Sequence, residues 1–224
     1  MLTGNSISDI APLSELINLT KLDVSENAIT DISPLSGLIK LSVLNLSMNS
    51  IVDTSPLDSL VQLTELNASN NSISNIGGLA PLTMLTDLRL FNNSISDMGP
   101  ISGLVNLEYL SIGGNLIADI TPISGLINLT DVSLDRNPLA GLSPLESLVN
   151  IISLSITENN ISDISPLAEL ITVSRLFLDN NNITDVTPLY GLTQLRTLYI
   201  RNNPLTEEDI NGLEAALPDL FVLF

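Results

Sequence analysis

The sequence predicts an α/β solenoid: a pile of chain coils, each giving one short strand to a continuous parallel sheet, with a short helix at the C-terminal end. Three observations carry this. A 22-residue pattern returns without a slip as far as about residue 205. Within it, apolar residues fall at positions 1, 4, 6, 11, 14, 17 and 20, counting Leu19 as position 1. Neither a 3.6-residue nor a 2-residue period runs through the whole chain; the pattern switches inside each coil, as one turn of a solenoid must.

The coil from Leu19 to Lys40 reads LTKLDVSENAITDISPLSGLIK. Later coils begin at Leu41, Leu63, Leu85, Leu107, Leu129, Ile151, Val173 and Leu195, and a partial coil runs from Met1 to Asn18. Positions 3 to 7 alternate out and in, as a strand does: Leu22 and Val24 inward, Lys21, Asp23 and Ser25 outward. Stacked coils then set these strands about 4.8 Å apart in one parallel sheet. On the opposite side lies the run Asp31-Ile-Ser-Pro-Leu35, with proline at position 16 in eight coils. Proline there excludes a central strand and fixes φ for a turn or tight short helix. No coil buries its own apolar set, so the stack is stable only as an array.

Asparagine occupies position 9 of every copy, from Asn5 and Asn27 to Asn181 and Asn203. Its amide both donates and accepts, which suits the buried backbone where the strand leaves the sheet, so we read it as structural. Position 13 is aspartate at Asp9, Asp31, Asp53, Asp97, Asp119, Asp163 and Asp185, interrupted by Asn75 and Gly141. Stacked carboxylates are a calcium pattern, but each is also placed to cap the turn after it, and capping is the reading we favour. The coil 63–84 is irregular: Gly77-Gly78 replaces Ser-Pro, proline moves to Pro81 and core position 6 shrinks to Ala68. It is the expected weak spot, read as a drifted repeat ahead of a functional hinge.

The array is assigned to residues 1–205, one partial plus nine full coils, the last running into a cap at 206–224. Thr206 is placed to N-cap a helix whose first turn holds Glu207, Glu208 and Asp209. Ile210, Leu213 and Leu217 form its apolar stripe, and Pro218 stops it. Leu220 to Phe224 are expected to lie across the last coil. Met1 falls at position 5, in mid-strand, so further chain is expected upstream of it.

Composition narrows the function. There are 25 acidic and 7 basic residues, a net charge of -18. Such a surface repels phosphate backbones and anionic lipid, so we expect a protein partner with a basic patch, no nucleic acid and no insertion into membrane. No apolar run is long enough for a membrane helix. The chain has no cysteine and no histidine, which removes disulfides, thiolate or imidazole metal sites and the commonest nucleophile–base pairs. No convergent catalytic set remains, so the expectation is a non-enzyme with no cofactor and no metal. The sequons, such as Asn18-Leu-Thr20, arise from the repeat itself and carry no inference.

The unit, best quoted as Leu41-Ser-Val-Leu-Asn-Leu-Ser-Met-Asn-Ser-Ile, resembles the 22-residue class of leucine-rich repeats. That class includes the bacterial internalins and a eukaryotic protein-phosphatase regulatory subunit. The likeness covers residues 1–205, and the ending NPLTEEDINGLEAALPDL resembles the C-terminal cap of bacterial members. The resemblance implies a right-handed horseshoe with a concave parallel sheet and convex 3-10 turns, and protein binding, often by a secreted or bacterial surface protein. A helical N-terminal cap, an immunoglobulin-like domain and a wall-anchoring tail are not found in the chain, so an adhesion role is an analogy at the level of fold.

If the sheet carries function, its outward positions should depart from Ser, Thr and Asn, and they do. Outside the cap, Phe91, Tyr109, Phe177 and Tyr199 lie at outward strand positions and only Tyr190 is convex. Six of the seven basic residues share that face: Lys21, Arg89, Arg136, Arg175, Arg196 and Arg201. The register suggests two partner-binding clusters, Arg89 with Phe91 and Tyr109, and Phe177 with Tyr199 among Arg175, Arg196 and Arg201. Tyr and Arg are enriched at interface hot spots. The competing reading is ordinary surface pairing, Arg201 with Asp179 and Arg136 with Glu158, and an aromatic ladder that only stabilises the sheet. We therefore expect a monomeric, non-catalytic module that holds a protein or glycoprotein on its concave face. The alternatives are an intracellular regulatory scaffold and a carbohydrate-binding adhesin face.

Overall fold

The computed structural model describes residues 2–224; Met1, where the partial coil opens, lies outside the described residues. The chain is a right-handed solenoid whose ten parallel strands follow one another in sequence order in one open sheet. They are β1 (Lys21–Asp23), β2 (Val43–Asn45), β3 (Glu65–Asn67), β4 (Asp87–Arg89), β5 (Tyr109–Ser111), β6 (Asp131–Ser133), β7 (Ser153–Ser155), β8 (Arg175–Phe177), β9 (Thr197–Tyr199) and β10 (Phe221–Leu223). Every pairing keeps the 22-residue register, as in Leu22 with Leu44 and Leu44 with Leu66.

Each strand spans positions 3 to 5 only, shorter than the 3-to-7 stretch expected. The ladder nonetheless runs on: Val24 N donates to Asn45 O at 3.0 Å and Glu26 N to Ser47 O at 2.9 Å. Position 8 then turns the chain away through a left-handed residue, among them Glu26, Asn70, Asn92 and Asn180 at φ between 52° and 57°. Asparagine tolerates that region better than most side chains, which is why it recurs there.

The position-9 asparagine does what its chemistry suggests. Asn115 Nδ2 donates to Ile112 O (2.9 Å) and Gly113 O (3.2 Å) in its own coil and to Leu90 O (3.0 Å) in the coil before. Its Oδ1 accepts from Ile95 N at 2.9 Å. One side chain thus closes its own bend and stitches two coils together. The position-13 aspartates are caps: Asp31 Oδ1 accepts from Ser33 N at 2.8 Å and Asp119 Oδ1 from Thr121 N at 2.8 Å. Asn75, one of the two exceptions in the row, accepts from Gly77 N in the same way at 2.9 Å. On the convex side, 3-10 turns such as Ser33–Leu35 and Thr121–Ile123 follow these caps, most with proline inside.

Sixty-odd apolar side chains make one uninterrupted core from Ile10 to Leu217, most of them with no exposure. One core position breaks the apolar rule: Thr54 stands at position 14, is 1% exposed and donates its hydroxyl to Asn75 O at 3.3 Å. That contact explains the irregular coil. Gly78 packs so closely on the coil before it that a Cβ would overlap the carbonyl of Thr54. The expected weak spot is therefore a close backbone approach, and Ala68 is fully buried.

The C-terminal helix α1 (Glu207–Ala216) has a complete capping box: Thr206 Oγ1 accepts from Asp209 N, and the Asp209 carboxylate accepts from Thr206 N at 2.8 Å. It buries Ile210 and Leu213 against the last coil. The tail beyond it is more regular than expected. Rather than lying across the last coil, Phe221–Leu223 continues the sheet in register, Phe221 beside Thr197 and Leu223 beside Tyr199.

Candidate functional site

The outward side chains of β8, β9 and β10 form an aromatic ladder on the concave face. The Phe177 and Tyr199 rings lie 5.2 Å apart between centroids, tilted by 33°. Phe221 meets Tyr199 edge-on at 6.5 Å. Arg201 lies across the Tyr199 ring, its guanidinium carbon 5.6 Å from the centroid. It is held there by Asp179, which accepts from Arg201 N at 2.7 Å and from Nε at 3.0 Å. This carboxylate raises the Arg201 pKa above the ordinary guanidinium value. Arg175 reaches two coils back to Asp131 at 3.3 Å.

The structure unites Phe177, Tyr199 and Arg201, as the register suggested; Arg175 shares β8 with Phe177 but reaches back to Asp131, and Arg196 is left out. The Arg196 guanidinium donates to Thr193 O at 2.9 Å and Leu195 O at 3.0 Å, drawing it to the flank beside Ala216 and Pro218. Phe221 joins in its place. Nothing short of the tail's register gave it away, because only the pairing with β9 turns Phe221 outward.

The second expected cluster divides. Arg89 forks onto Asp87 (2.9 and 2.7 Å) and lies over Tyr109 with its guanidinium carbon 4.7 Å from the ring centroid. Hydrogen bonding to Asp87, more than any other contact, raises the Arg89 pKa. Phe91 points the other way and meets Arg136, 4.9 Å from guanidinium carbon to centroid. The expected Arg136–Glu158 pair is not among the ion pairs of the described residues, because Arg136 is spent on Phe91. The Arg201–Asp179 pair is present.

A shallow trough of about 530 Å³, which sequence reasoning did not single out, crosses the concave face over β1–β4. Lys21, Asp23, Glu65, Asp87 and Arg89 line it. Among the described residues no three His, Cys, Asp or Glu side chains converge as metal ligands. No helix there is long and apolar enough to cross a membrane.

Residues 1–37, 17–59, 83–125 and 172–215 match the sequence family described as leucine rich repeats (2 copies). An internalin (inlF) from Listeria monocytogenes str. 4b F2365 is 33% identical, with a TM-score of 0.75, over 99% of this chain and 78% of that one. The chain belongs to the internalin-like leucine-rich-repeat family. Internalin C2 of the same strain is 36% identical over 84% of this chain and 80% of its own, with a TM-score of 0.77. The plant peptide hormone receptor RGFR1, solved in complex with RGF2, shares the fold at 21% identity and a TM-score of 0.77, over 99% of this chain and 37% of that one. A search of curated protein sequences gave no match.

Internalin-like repeats of this kind typically serve as protein-interaction modules and are generally non-catalytic scaffolds. The concave side chains of this member suit such a role. Phe91, Tyr109, Phe177 and Tyr199 are half-buried and Phe221 is exposed, and carboxylates already orient Arg89, Arg175 and Arg201. Little side-chain freedom remains to be lost on binding.

Proposed function

We propose that this internalin-like chain binds another protein on its concave face, with the Phe177–Tyr199–Phe221 ladder as the apolar anchor and Arg175 and Arg201 as oriented donors. The Arg89–Tyr109 and Phe91–Arg136 stacks form a second contact zone toward the middle of the sheet. The observation that carries the reading is the ladder itself. Three neighbouring strands each place an aromatic ring in one continuous row on the concave face. Stacking between the rings accounts for their mutual order, while Phe177 and Tyr199 stay only half-buried and Phe221 exposed; such aromatic–arginine groups dominate interface energetics.

The net charge of -18 favours a partner with a basic patch, which long-range attraction would bring to the face at speed. The similarity to two internalins supports a secreted or surface protein of a bacterium as the setting.

The test is a display selection of extracellular protein domains on the intact chain. A selected domain is then titrated against the Phe177→Ala/Tyr199→Ala variant. Loss of two hot-spot rings should weaken binding by about 30-fold or more while the melting temperature holds. Unchanged affinity removes the ladder from the site. Selective glycan-array binding, abolished by the same variant, would transfer the face to carbohydrate.

A further inference from the structure

The flank where each coil enters its strand carries a feature the concave site does not use. Position 21 is Ile39, Val61, Val105, Ile127, Val149 and Ile171 in six of the full coils, and Ile17 begins the row in the partial one. All seven are exposed, between 43% and 60%. Thr83 interrupts the row, but Met84 beside it is 45% exposed and restores the apolar surface.

Local structure does not call for these residues. Position 21 is the second residue of a tight turn, closed for example by Leu41 N donating to Leu38 O at 3.0 Å. Such turns favour Pro, Ser, Asp or Asn, and have no need of β-branched aliphatic side chains. Nor is the row there to cover exposed backbone. The carbonyls beneath it are occupied by amides from the next coil, Asn128 Nδ2 on Val105 O and Asn150 Nδ2 on Ile127 O, each at 2.9 Å. What faces solvent is hydrocarbon, on the order of 600 Å² in a single line, at or above the largest apolar patch of a typical monomer.

Beside this ridge, one step toward the sheet, runs a parallel groove of about 870 Å³. Asn128, Thr130, Asn150, Ile152 and Thr172 line it, and Glu108 is its only charged wall. We propose that this flank is a self-association surface, in which a two-fold axis seats the Ile/Val ridge of each copy in the groove of the other. Three properties point to a second copy as the occupant. Ridge and groove lie side by side on one surface, which makes it complementary to itself, as an isologous contact requires. The ridge and the groove walls together approach the roughly 800 Å² per partner of a standard interface. The flank also carries few charges, Glu15, Lys40 and Glu108 among them, in a molecule of net charge -18. Two copies meet there with their acidic rows held apart and screened beyond about 8 Å at physiological salt. The arrangement replaces the single copy expected from the sequence and leaves the concave faces open.

Sedimentation equilibrium of the intact chain from about 1 to 500 µM tests this. The expected result is a monomer–dimer equilibrium that tightens as NaCl rises from about 50 to 500 mM, because screening weakens repulsion between like-charged copies. Ile127→Lys/Val149→Lys, both outside the core, should shift the dissociation constant by about 100-fold or more without lowering the melting temperature. Phe177→Ala/Tyr199→Ala should dimerise as the wild type does, which separates this surface from the concave one. A monomer at the highest concentration overturns the proposal, as does a dimer indifferent to the lysine pair. Flotation with phosphatidylcholine vesicles that the lysine pair abolishes would assign the ridge to lipid and overturn it equally.

Discussion

Phe91 and Arg136 meet across two coils of the solenoid because the coil between them has no side chain to keep them apart. That coil carries Gly113 and Gly114 at the two positions beneath the contact. A Cβ on Gly113 would stand 2.9 Å from Asp135 O and 3.2 Å from the Phe91 ring, and Gly114 adopts a φ of +64°. Gly113→Ala should therefore push the ring off the sheet and cost about 1–3 kcal/mol, seen calorimetrically as a fall of about 3–8 °C in melting temperature. Gly125→Ala, where a Cβ meets nothing within 4 Å, is the control and should change little. Equal melting temperatures for the two variants would show that the stack does not depend on that gap.

The sequence showed most clearly those features whose chemistry closes within one repeat. The 22-residue register, the bend that Asn115 closes within its own coil and the Asp31-type cap each follow from a side chain and the backbone beside it. Relations that cross coils were harder to see. Arg89, Phe91 and Tyr109 share a face, but nothing in their spacing told that Gly113 opens a seat for Phe91 away from the other two. Gly77-Gly78 read as a drifted repeat, yet Thr54 N donates to Asn75 O at 3.2 Å, and only a glycine at 78 lets the two backbones come together. The Ile/Val row was present in most lines of the repeat. It escaped notice because apolar residues next to a core position look like more core until their exposure is known.

Asn115 offers a direct measure of the stitch. It is 5% exposed and makes four hydrogen bonds to backbone. Asn115→Ala leaves those buried partners without it, at about 1–3 kcal/mol for each group that water cannot reach. A total loss of about 3–6 kcal/mol is expected in urea unfolding, with exchange fastest at the Ile95 amide and its neighbours. A loss below about 1 kcal/mol would mean that water replaces the side chain and that the row is not structural.

Three caps make stability depend on acid. Asp31 is held below the ordinary aspartate value chiefly by the backbone N–H of Ser33, then by its hydroxyl. Asp119 and Asp163 are lowered first by the hydroxyls of Thr121 and Ser165, then by their N–H groups. A carboxyl with a folded pKa below its unfolded one stabilises fully above the unfolded value near 3.8, and that contribution is lost as pH falls through the folded value. Asn75 shows that an amide caps without charge. Asp31→Asn/Asp119→Asn/Asp163→Asn should therefore keep the fold at pH 7 and flatten the fall in urea midpoint below about pH 4. Superimposable acid limbs for variant and wild type would remove these three caps as its cause.

The last prediction couples the helix to the ladder. Phe221 faces the concave side only because α1 returns the chain to β9, where Phe221 N donates to Arg196 O at 3.0 Å and Ile200 N to Leu223 O at 2.8 Å. The helix itself starts on the reciprocal Thr206–Asp209 box. It is steered from the convex side by Tyr190, whose hydroxyl lies where a side chain on Gly212 would be. Thr206→Ala/Asp209→Ala should cost about 1–2 kcal/mol. Because each coil rests only on its neighbours, the loss should stay at the C-terminal end. Exchange at the Ile200 amide should rise by about 10-fold or more while amides of β1–β6 are unchanged. Binding through the ladder should weaken in the same variant, since Tyr199 loses the ring beside it. Uniform acceleration along the whole sheet would instead mean that the solenoid opens as one unit and that the box does not act locally.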